Sequence, residues 1–583
     1  MSNLSQLKRQ RMLEFLNKIR AEHTDDDALI AINEIETALT EKKYGLVWEQ
    51  HEERVDIEMQ TKVPVFSEVA DKEIIGDKSA PYNFLLEGDN LHSLKLLEKT
   101  HTGRINVIYI DPPYNTGGQD FTYNDEFVDK TDAFRHSKWL SFMASRLELL
   151  RTLLSDDGVI FISIGEQEVA NLRLLCDDLM GEDNFITIFS RQMKSGGAKG
   201  KFYTPNIDYV LAYAKDITKL PNFKAIMTDK QIEVFYNKTE TSGERAGEIY
   251  GEERLFKASL DARPNQRYYI QCPDGTFAIP PGSTFPEHLV EGETVLPTKQ
   301  DKVWKWIYPR YQAELAKNNI VFKKTKTSGL VDEHGNKSNW NIYNKLWLSE
   351  QQDKGVVPSN FITEYENRQS AAEMKDLGID FTYAKPTNLV KYLLTIANQP
   401  KDIIVLDCFA GSGTTGHAVL KMNSEDGGSR RFILCTNNES GICETITYPR
   451  IKTVISGKRT DGTGYSNNYP ANLKYYRTQF VAKTSEEEDY SVGDELLKHI
   501  VEMVQLEHAV KIDGTNCVLL LSDEQADSFI GDITNLDMCK AVYISTAVLL
   551  TAVQQKELEK RGIEIYTIPD YYFESELLEV GER

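Results

Sequence analysis

The chain has 583 residues, 40% of them hydrophobic, and a net charge of −22 at pH 7, which predicts two or three domains and excludes an indiscriminate polyanion-binding protein. No apolar stretch is long enough to cross a bilayer and the N-terminus has no apolar signal segment, so we expect a cytoplasmic protein. The seven cysteines contain no Cys-x-x-Cys pair, which argues against a disulfide framework and a structural zinc.

The first 215 residues contain a helical segment and then the beginning of an alternation between strand-like and helix-like segments. Apolar residues at helical spacing within residues 1–60 predict two packed helices over 5–42, interrupted by the acidic run at 25–27. Strand-like and helix-like segments then alternate within residues 61–215. They are a buried strand over 104–110, a helix over 137–154 and a strand over 158–164. This alternation predicts an α/β fold with a mostly parallel sheet.

The pattern weakens over residues 216–365, which we interpret as a separate inserted domain. Residues 191–350 contain 24 Lys and Arg against 19 Asp and Glu, whereas the rest of the chain contains 43 against 70. This part is therefore the candidate polyanion surface. The run Lys323-Lys324-Thr325-Lys326 can meet phosphates, although a solvated loop is its ordinary alternative. Trp304, Trp306 and Trp340 are more typical of a core than of base stacking.

The alternating pattern resumes over residues 366–475, so the sheet is predicted to be split around the insertion. Its segments are a helix over 389–397, a strand over 403–406, a helix over 415–421 and a strand over 431–435. An acidic run follows at 486–489. Within residues 476–583, strands at 517–521, 541–545 and 563–568 and a helix over 548–559 predict a small C-terminal α/β module.

The sequence Asp111-Pro112-Pro113-Tyr114 follows a predicted strand, at the end where open α/β sheets bind ligands. A rigid turn is the ordinary alternative. Adenine N6 is a poor nucleophile because its lone pair is delocalised, so a catalyst must hold the amino group with acceptors. Asp111 can accept one N–H and the Pro112 carbonyl the other, while Tyr114 offers a ring for stacking. A base in a duplex must be flipped out to reach such a loop.

The second motif runs from Asp407 to Gly416, DCFAGSGTTG, between a predicted strand and a predicted helix. Its glycines fit G-x-G-x-x-G, which alone indicates only a dinucleotide site or a glycine turn with a capping Asp. Asp407 stands directly before the glycines, which suits a ligand with a cationic amino group beside a closely approached backbone. The methionine part of S-adenosylmethionine is such a ligand.

Together, DPPYNTG and DCFAGSGTTG resemble the amino-methyltransferase family that modifies DNA, and their order resembles its beta class. The segments FLLEGDNL at 84–91 and TITYPR at 445–450 further resemble the modification subunits of type III restriction-modification systems. The resemblance covers about 80–215 and 365–455. It implies a Rossmann-like S-adenosylmethionine-dependent methyltransferase sheet with a catalytic half at 61–215, a target-recognition domain at 216–365 and a cofactor half at 366–475.

The resemblance also assigns roles to residues at matching positions. Asp89 would accept a hydrogen bond from the cofactor adenine, with a helix N-cap as its structural alternative. Phe381, Thr382 and Lys385 match the segment that covers the methionine end of the cofactor, or else a packed strand end. Thr436 stands where the family has an acidic ribose ligand, so Glu439 is its candidate replacement. The implied catalytic set is Asp111, Pro112, Pro113 and Tyr114, and the implied cofactor set is Asp89, Asn90, Phe381, Thr382, Lys385, Asp407, Phe409, Gly411, Ser412, Gly413, Thr414 and Glu439, with no metal.

The resemblance predicts a sequence-specific duplex-DNA methyltransferase that transfers a methyl group from S-adenosylmethionine to adenine N6, because Asp before Pro-Pro-Tyr resembles the adenine-specific branch. A type III modification subunit would act as a homodimer with a helicase-nuclease restriction subunit, and the C-terminal module is assigned to dimer or partner contacts. The sequence contains no G-x-x-x-x-G-K-[ST] phosphate loop of its own. The alternatives are a standalone DNA methyltransferase, an RNA or protein-glutamine methyltransferase, and a specificity or assembly module with little activity.

Overall fold

The computed structural model describes residues 4–22, 32, 35–36, 48–78, 80–118, 121–123, 126–196, 202–227, 229–485, 489–568 and 572–582. The chain forms two compact units, of which one comprises Met1–Pro221 with Ser359–Arg583 and the other Asn222–Pro358. The second unit lies within the range 216–365 in which the sequence predicts an insertion. In the described part of the chain, no helix has the length and apolar character of a membrane span.

The first unit contains a large mixed sheet, which confirms the predicted α/β class. Its strand order is β1-β19-β3-β18-β17-β4-β7-β9-β8-β16, and β2 pairs with β19. The strands of this unit are β1 (Lys62–Glu68), β2 (Ile74–Ile75), β3 (Tyr82–Glu87), β4 (Ile105–Ile110), β5 (Thr122–Tyr123), β6 (Glu126–Phe127), β7 (Leu154–Ile164), β8 (Phe185–Gln192), β9 (Ile207–Ala214), β16 (Phe361–Ile362), β17 (Ile404–Asp407), β18 (Arg431–Thr436), β19 (Asn472–Ala482), β20 (Cys517–Leu520), β21 (Ala541–Ser545) and β22 (Glu564–Ile568).

The centre of the sheet is parallel, whereas its margins are not. The consecutive strands β19, β3, β18, β17, β4 and β7 all run in the same direction. Strand β9 is antiparallel to β7 and β8, and β1 is antiparallel to β19. The central strands are continuous apolar runs because helices cover both faces of a parallel sheet. In β4 and β17 almost every residue is buried.

Helices connect these strands. Those of the first unit are Leu4–Glu22, Arg54–Thr61, Asn90–His101, Arg135–Leu153, Val169–Cys176, Asn367–Leu377, Thr387–Ile396, Thr414–Asp426, Tyr448–Ser456, Val492–Leu497, Ile500–His508, Asp523–Gly531, Ile533–Leu536, Ala552–Arg561 and Glu574–Val580. The predicted second N-terminal helix and the acidic run at 25–27 lie outside the described residues. The helix predicted to begin at residue 548 begins only at Ala552, because Thr551 caps it and forms a capping box with Gln554.

The two sequence motifs meet where β17 and β4 lie side by side. Leu406 of β17 is in register with Ile108 of β4, so both strands end at the same edge of the sheet. Strands β18 and β3 continue the sheet on one side, and β7 continues it on the other. In open α/β sheets ligands bind at the carboxyl ends of the strands at such a switch in strand order. The fold therefore brings Asp111 and Asp407 to one cleft.

The second unit has its own sheet and core. Its strands are β10 (Lys238–Thr239), β11 (Ile249–Arg254), β12 (Ile270–Gln271), β13 (Phe277–Ala278), β14 (Ile320–Lys324) and β15 (Trp340–Trp347), and its helices are Asp229–Phe235, Tyr308–Ala316 and Leu348–Lys354. The four strands β10-β11-β15-β14 form an antiparallel sheet. Trp304 and Trp306 lie in the core, as the sequence favours. Lys323 belongs to β14 rather than to a loop, and its ammonium pairs with Glu252.

The C-terminal region contains a small parallel sheet with the order β20-β21-β22. Its helices and strands enclose a separate apolar cluster that includes Val518, Val542 and Leu558. The region nevertheless belongs to the first compact unit, since Tyr543 and Phe573 join the apolar core of the large sheet. Strand β19 crosses the boundary at residues 475–476 that the sequence suggests.

Candidate active site

The loop after β4 is fixed at the Pro113 carbonyl and at Asn115. The indole N–H of Trp139, on the helix Arg135–Leu153, donates to the Pro113 carbonyl at 2.8 Å. Asn115 has a φ of 56°, a left-handed conformation that Asn tolerates better than most residues. The chain therefore turns sharply just after Tyr114, and the Pro113 carbonyl is already occupied by a donor.

Glu168 fixes the side chain of Asn115 in this turn. Its buried carboxylate accepts hydrogen bonds from Asn115 Nδ2 at 2.5 Å and from Asn171 Nδ2 at 2.7 Å. His136 Nδ1 lies 2.5 Å from the same carboxylate, and His136 Nε2 lies 3.1 Å from the Arg135 guanidinium. Because a guanidinium only donates, His136 Nε2 accepts and His136 Nδ1 carries the hydrogen that Glu168 receives.

The Asp111 carboxylate has one paired and one unpaired oxygen. Its Oδ2 lies 2.5 Å from Lys385 Nζ, in an ion pair. Its Oδ1 is buried and has no hydrogen-bond partner among the residues that the structure describes. A buried carboxylate oxygen without a donor is costly, so this atom marks a place for an external N–H or O–H group.

Tyr114 is oriented with its hydroxyl inward. Burial, followed by the nearby charge of Asp111, raises the pKa of this phenol well above its usual value, so it stays protonated. The ring packs against Gly165, where an added Cβ would lie 2.8 Å from Tyr114 Cδ2. Lys385 Nζ lies 4.9 Å from the centroid of the same ring. Lys385 therefore contacts both Asp111 and Tyr114.

The glycine loop after β17 takes conformations that require glycine. Gly411 and Gly413 have φ values of 48° and 77°, in the left-handed region. Gly416 lies against a neighbouring helix and strand, because an added Cβ would be 2.8 Å from Ile451 Cδ1 and 3.0 Å from Leu434 Cδ1. The first two glycines shape the turn and the third permits close packing of the helix Thr414–Asp426.

Arg450 holds the glycine loop through hydrogen bonds to two of its side chains. Its buried guanidinium donates to Ser412 Oγ at 3.0 Å and to Thr414 Oγ1 at 2.9 Å. It also donates to Thr387 Oγ1 at 2.9 Å, which links the loop to the helix Thr387–Ile396. Burial lowers the pKa of Arg450 to about 10, so the group remains charged at neutral pH.

Asp407 is buried, and both of its carboxylate oxygens accept internal hydrogen bonds. The Phe409 N–H donates to Oδ1 at 3.0 Å and the Thr415 hydroxyl to Oδ2 at 2.5 Å. Burial, opposed by these two bonds and assisted by the charge of Asp111, raises the pKa of Asp407 to about 7. The carboxylate holds the turn, and its contact with a cationic amino group of a ligand stays a prediction.

Asp89 and Asn90 connect the end of β3 to the glycine loop. Asp89 Oδ1 accepts from Leu91 N–H at 2.7 Å, which is the N-cap that the sequence allows, and lies 3.6 Å from the buried Arg146 guanidinium. Asn90 donates to the Cys408 carbonyl at 3.2 Å and accepts from Arg146 Nε at 2.6 Å. Three segments far apart in sequence are thus joined at one end of the sheet.

The other predicted cofactor residues differ in their exposure. Phe409 is half-buried, with its ring centroid 5.9 Å from that of Phe142. Phe381 is half-buried and Thr382 is exposed. Glu439 is exposed on the short helix Glu439–Gly441, beyond the buried Thr436 that ends β18. Their contacts with a cofactor stay predictions.

Comparison with known proteins identifies the family of the chain. The sequence pattern of the family N6_N4_Mtase, described as DNA methylase, matches residues 105–505, which include both motifs. The chain belongs to this DNA methylase family. The Mod subunit of the type III restriction-modification enzyme StyLTI, from Salmonella typhimurium, is 30% identical over 394 residues, or 63% of this chain and 54% of that subunit. The chain thus spans about half the length of this relative.

Two further proteins are similar to the chain. The type II methyltransferase M.KpnI from Klebsiella pneumoniae is 30% identical over 413 residues, which are 68% of this chain and 90% of that enzyme. The crystal structure of the M1.HpyAVI–SAM complex is 12% identical and covers 63% of this chain and 98% of that chain, with a TM-score of 0.27. That score is too low for the two structures to be compared in detail.

The site of this DNA methylase family member has the chemistry that S-adenosylmethionine needs. The ligand carries a sulfonium, an ammonium and an adenine amino group, all of which favour carboxylates and exposed carbonyls. This end of the sheet supplies the Asp89 carboxylate and a glycine turn whose backbone a ligand can approach closely. The unpaired Asp111 Oδ1 adds an acceptor for a second ligand. The residues therefore fit the cofactor.

Three residues that shape this site were not singled out by their sequence. Trp139 and Glu168 position the loop after β4, and Arg450 holds the glycine loop. A Trp within an amphipathic helix and a Glu before a helix are ordinary features, so no local signal marks them. Arg450 lies in the segment TITYPR that carries the family resemblance, but the resemblance gave it no role.

Proposed function

We propose that the chain is an S-adenosylmethionine-dependent DNA methyltransferase that modifies adenine N6 in a flipped-out base. The observation that carries the proposal is the position of the unpaired, buried Asp111 Oδ1 beside the Tyr114 ring, at the edge of the sheet where the glycine loop also ends. Membership of the DNA methylase family supports the choice of a base as the substrate.

The catalytic loop would hold the amino nitrogen of the base. Asp111 Oδ1 accepts one N–H, and the Pro112 carbonyl accepts the other, because Trp139 already occupies the Pro113 carbonyl. Two acceptors favour a more tetrahedral nitrogen, whose lone pair is then available for attack. The Tyr114 ring stacks on the base and offsets part of the cost of unstacking it.

The glycine loop would bind the cofactor, with Gly411 to Thr414 approached through their backbone and Asp89, Asn90, Phe381, Thr382 and Phe409 around it. Bound S-adenosylmethionine supplies an electrophilic methyl group on a sulfonium. Positioning and exclusion of water by these residues account for the rate. After transfer, Asp111 passes the surplus proton of the amino group to solvent. Tyr114 takes no part in proton transfer, because burial holds its pKa high.

We assign target recognition to the second unit, Asn222–Pro358, which interrupts the first unit between the two motifs. The similarity to a type III Mod subunit supports a modification subunit that forms a homodimer and joins a restriction subunit. A standalone methyltransferase is the second candidate, and the alignment with 90% of M.KpnI favours it. Co-expression with a helicase-nuclease restriction subunit, followed by co-purification, separates the two candidates. A modification subunit should co-purify with it, and a standalone methyltransferase should not.

The test is incubation of the purified chain with unmethylated genomic DNA and methyl-tritiated S-adenosylmethionine. We expect label in DNA, recovered as N6-methyladenine, and methylation-aware sequencing should show one short target sequence. Asp111→Ala should abolish transfer but leave the affinity for S-adenosylhomocysteine within about twofold in calorimetry, because Asp111 binds the base. Label in N4-methylcytosine, RNA or protein would refute the proposed substrate.

A further inference from the structure

Lys385 contacts the two groups that the proposed function assigns to the target base. Its ammonium lies 2.5 Å from Asp111 Oδ2 and 4.9 Å from the centroid of the Tyr114 ring, and its side chain is only 12% exposed. The ammonium lies over the Tyr114 ring, so an adenine that stacks on this face of the ring and places its amino group on Asp111 Oδ1 would displace it. The resemblance places Lys385 at the methionine end of the cofactor, whereas its contacts lie on the side of the base.

The backbone of Lys385 is anchored, but its ammonium can move. The Lys385 carbonyl accepts a hydrogen bond from Thr414 Oγ1 at 3.3 Å, and Pro386 caps the helix Thr387–Ile396 directly afterwards. A lysine stem has four rotatable carbons, so the charged end can leave while the main chain stays in place. Tyr383, two residues earlier, is 84% exposed, so this segment lies at the protein surface.

We propose that Lys385 is a gating residue that occupies the place of the target base until a base with its own N–H donors displaces it. This inference rests on the proposed function. Displacing the ammonium removes a charge-assisted hydrogen bond from a partly buried carboxylate, a cost that applies to every base. Adenine offsets it, because its amino group donates to Asp111 and its ring replaces the cation over Tyr114.

The gate acts through the population of the flipped state. A base without an amino group at this position leaves Asp111 without a donor, so it gains too little to keep the ion pair open. Lys385 lowers the population of the flipped state by the same factor for every base. Its removal should therefore raise that population most noticeably for bases that the site holds weakly. A charge-assisted hydrogen bond corresponds to about tenfold or more in an equilibrium constant.

The experiment compares full-length wild type with Lys385→Met, which keeps the stem and removes the charge. The duplex carries the target site identified by sequencing, with the target adenine replaced by 2-aminopurine, which lacks the 6-amino group and fluoresces when unstacked. The fluorescence of the duplex is measured as protein is added, with S-adenosylhomocysteine present. We expect weak enhancement in wild type and an increase of several-fold in Lys385→Met. Calorimetry should show S-adenosylhomocysteine affinity unchanged within about twofold.

Lys391→Met is the matched control, since Lys391 lies on the helix Thr387–Ile396 that follows Lys385 and forms an ion pair with Glu425. It should leave 2-aminopurine fluorescence at the wild-type level. If Lys385→Met does not fold, as judged by its melting curve, Lys385→Gln serves in its place. Unchanged or lower fluorescence in the folded variant overturns the gate. So does a loss of S-adenosylhomocysteine affinity of tenfold or more, which would make Lys385 a cofactor ligand.

Failure of the proposed function has a different signature. In that case the wild-type chain transfers no methyl group to adenine in DNA, and sequencing reveals no target site. If wild type methylates adenine but Lys385→Met shows no gain in fluorescence, the gate alone is wrong.

Discussion

Trp139 donates its indole N–H to the carbonyl of Pro113, and this bond fixes the loop that carries Asp111 and Tyr114. The Trp comes from the helix Arg135–Leu153 and is fully buried. A side chain in the apolar core therefore sets the conformation of the catalytic loop. This hydrogen bond is therefore expected to contribute both to the stability of the protein and to its activity.

Trp139→Phe should keep most of the packing and lose this bond. We expect the free energy of unfolding to fall by about 1–3 kcal/mol, because the Pro113 carbonyl loses its donor. The methyl-transfer rate constant at saturating DNA and cofactor should fall about tenfold, because the loop is less well positioned. Trp304→Phe removes a similar buried bond, to the Tyr268 carbonyl, in the second unit. It should destabilise the protein equally without changing that rate constant, and equal rate losses in both variants would contradict the role of Trp139.

Glu168→Gln tests the second anchor of the loop. Glutamine has the same size but replaces one acceptor oxygen with a donor and removes the charge. If its amide oxygen still accepts from Asn115 and His136, its NH2 group opposes the NH2 group of Asn171. Single-turnover methylation should slow by about tenfold or more while the affinity for S-adenosylhomocysteine stays unchanged. The control is Glu166→Gln, where the carboxylate accepts from the exposed Tyr203 hydroxyl. A parallel loss in both variants would argue against a specific role of Glu168.

Arg450→Lys should weaken cofactor binding without touching the base site. Lysine keeps the charge and has three N–H donors, but all three are on one nitrogen. The guanidinium instead uses one nitrogen for Ser412 and Thr414 and a second nitrogen for Thr387. We expect about 3 kcal/mol less stability in urea unfolding and about tenfold weaker S-adenosylhomocysteine binding in calorimetry. Arg459→Lys, which alters a more exposed pair with Asp376, is the control. Unchanged cofactor affinity in folded Arg450→Lys would refute the role of the guanidinium.

Asp407 predicts a pH dependence of stability. Burial raises its pKa from 3.8 to about 7 in the folded protein, so the folded state holds one more proton than the unfolded state between these values. The resulting stability is fully present below about pH 4 and is lost as the pH rises through 7, a change on the order of 4 kcal/mol. Asp407→Asn should flatten this part of the curve of unfolding free energy against pH. An equally steep curve in the variant would assign the dependence to other groups.

The sequence predicts the elements that depend on local patterns. Apolar runs mark β4 and β17, and the three glycines of the second motif mark the turn that their φ values and packing require. The alternation of strand-like and helix-like segments predicts the α/β class, and the family resemblance adds the pairing of the two motifs. The predicted start of the helix Ala552–Arg561, at residue 548, is wrong, because the capping box between Thr551 and Gln554 decides the boundary.

The sequence does not predict interactions that depend on which distant segments meet. Glu168 reaches Asn115 across 53 residues and Lys385 reaches Asp111 across 274. No local spacing encodes such pairs, because they arise only when the sheet places both segments at one edge. For the same reason the family resemblance assigns Lys385 to the cofactor, whereas its side chain contacts Asp111 and Tyr114.

The neighbouring positions of β4 and β17 also determine when the site can form during synthesis. The Ile404 N–H donates to the Asn106 side chain, 298 residues earlier in the chain. At 5–20 residues per second, a ribosome needs about 15–60 s to synthesise the chain between these two residues. Throughout that interval one apolar edge of β4 lacks its final neighbour and is a template for wrong strand pairing. A nascent chain stalled within Asn222–Pro358 would therefore contain the whole loop after β4 and expose an aggregation-prone edge of β4.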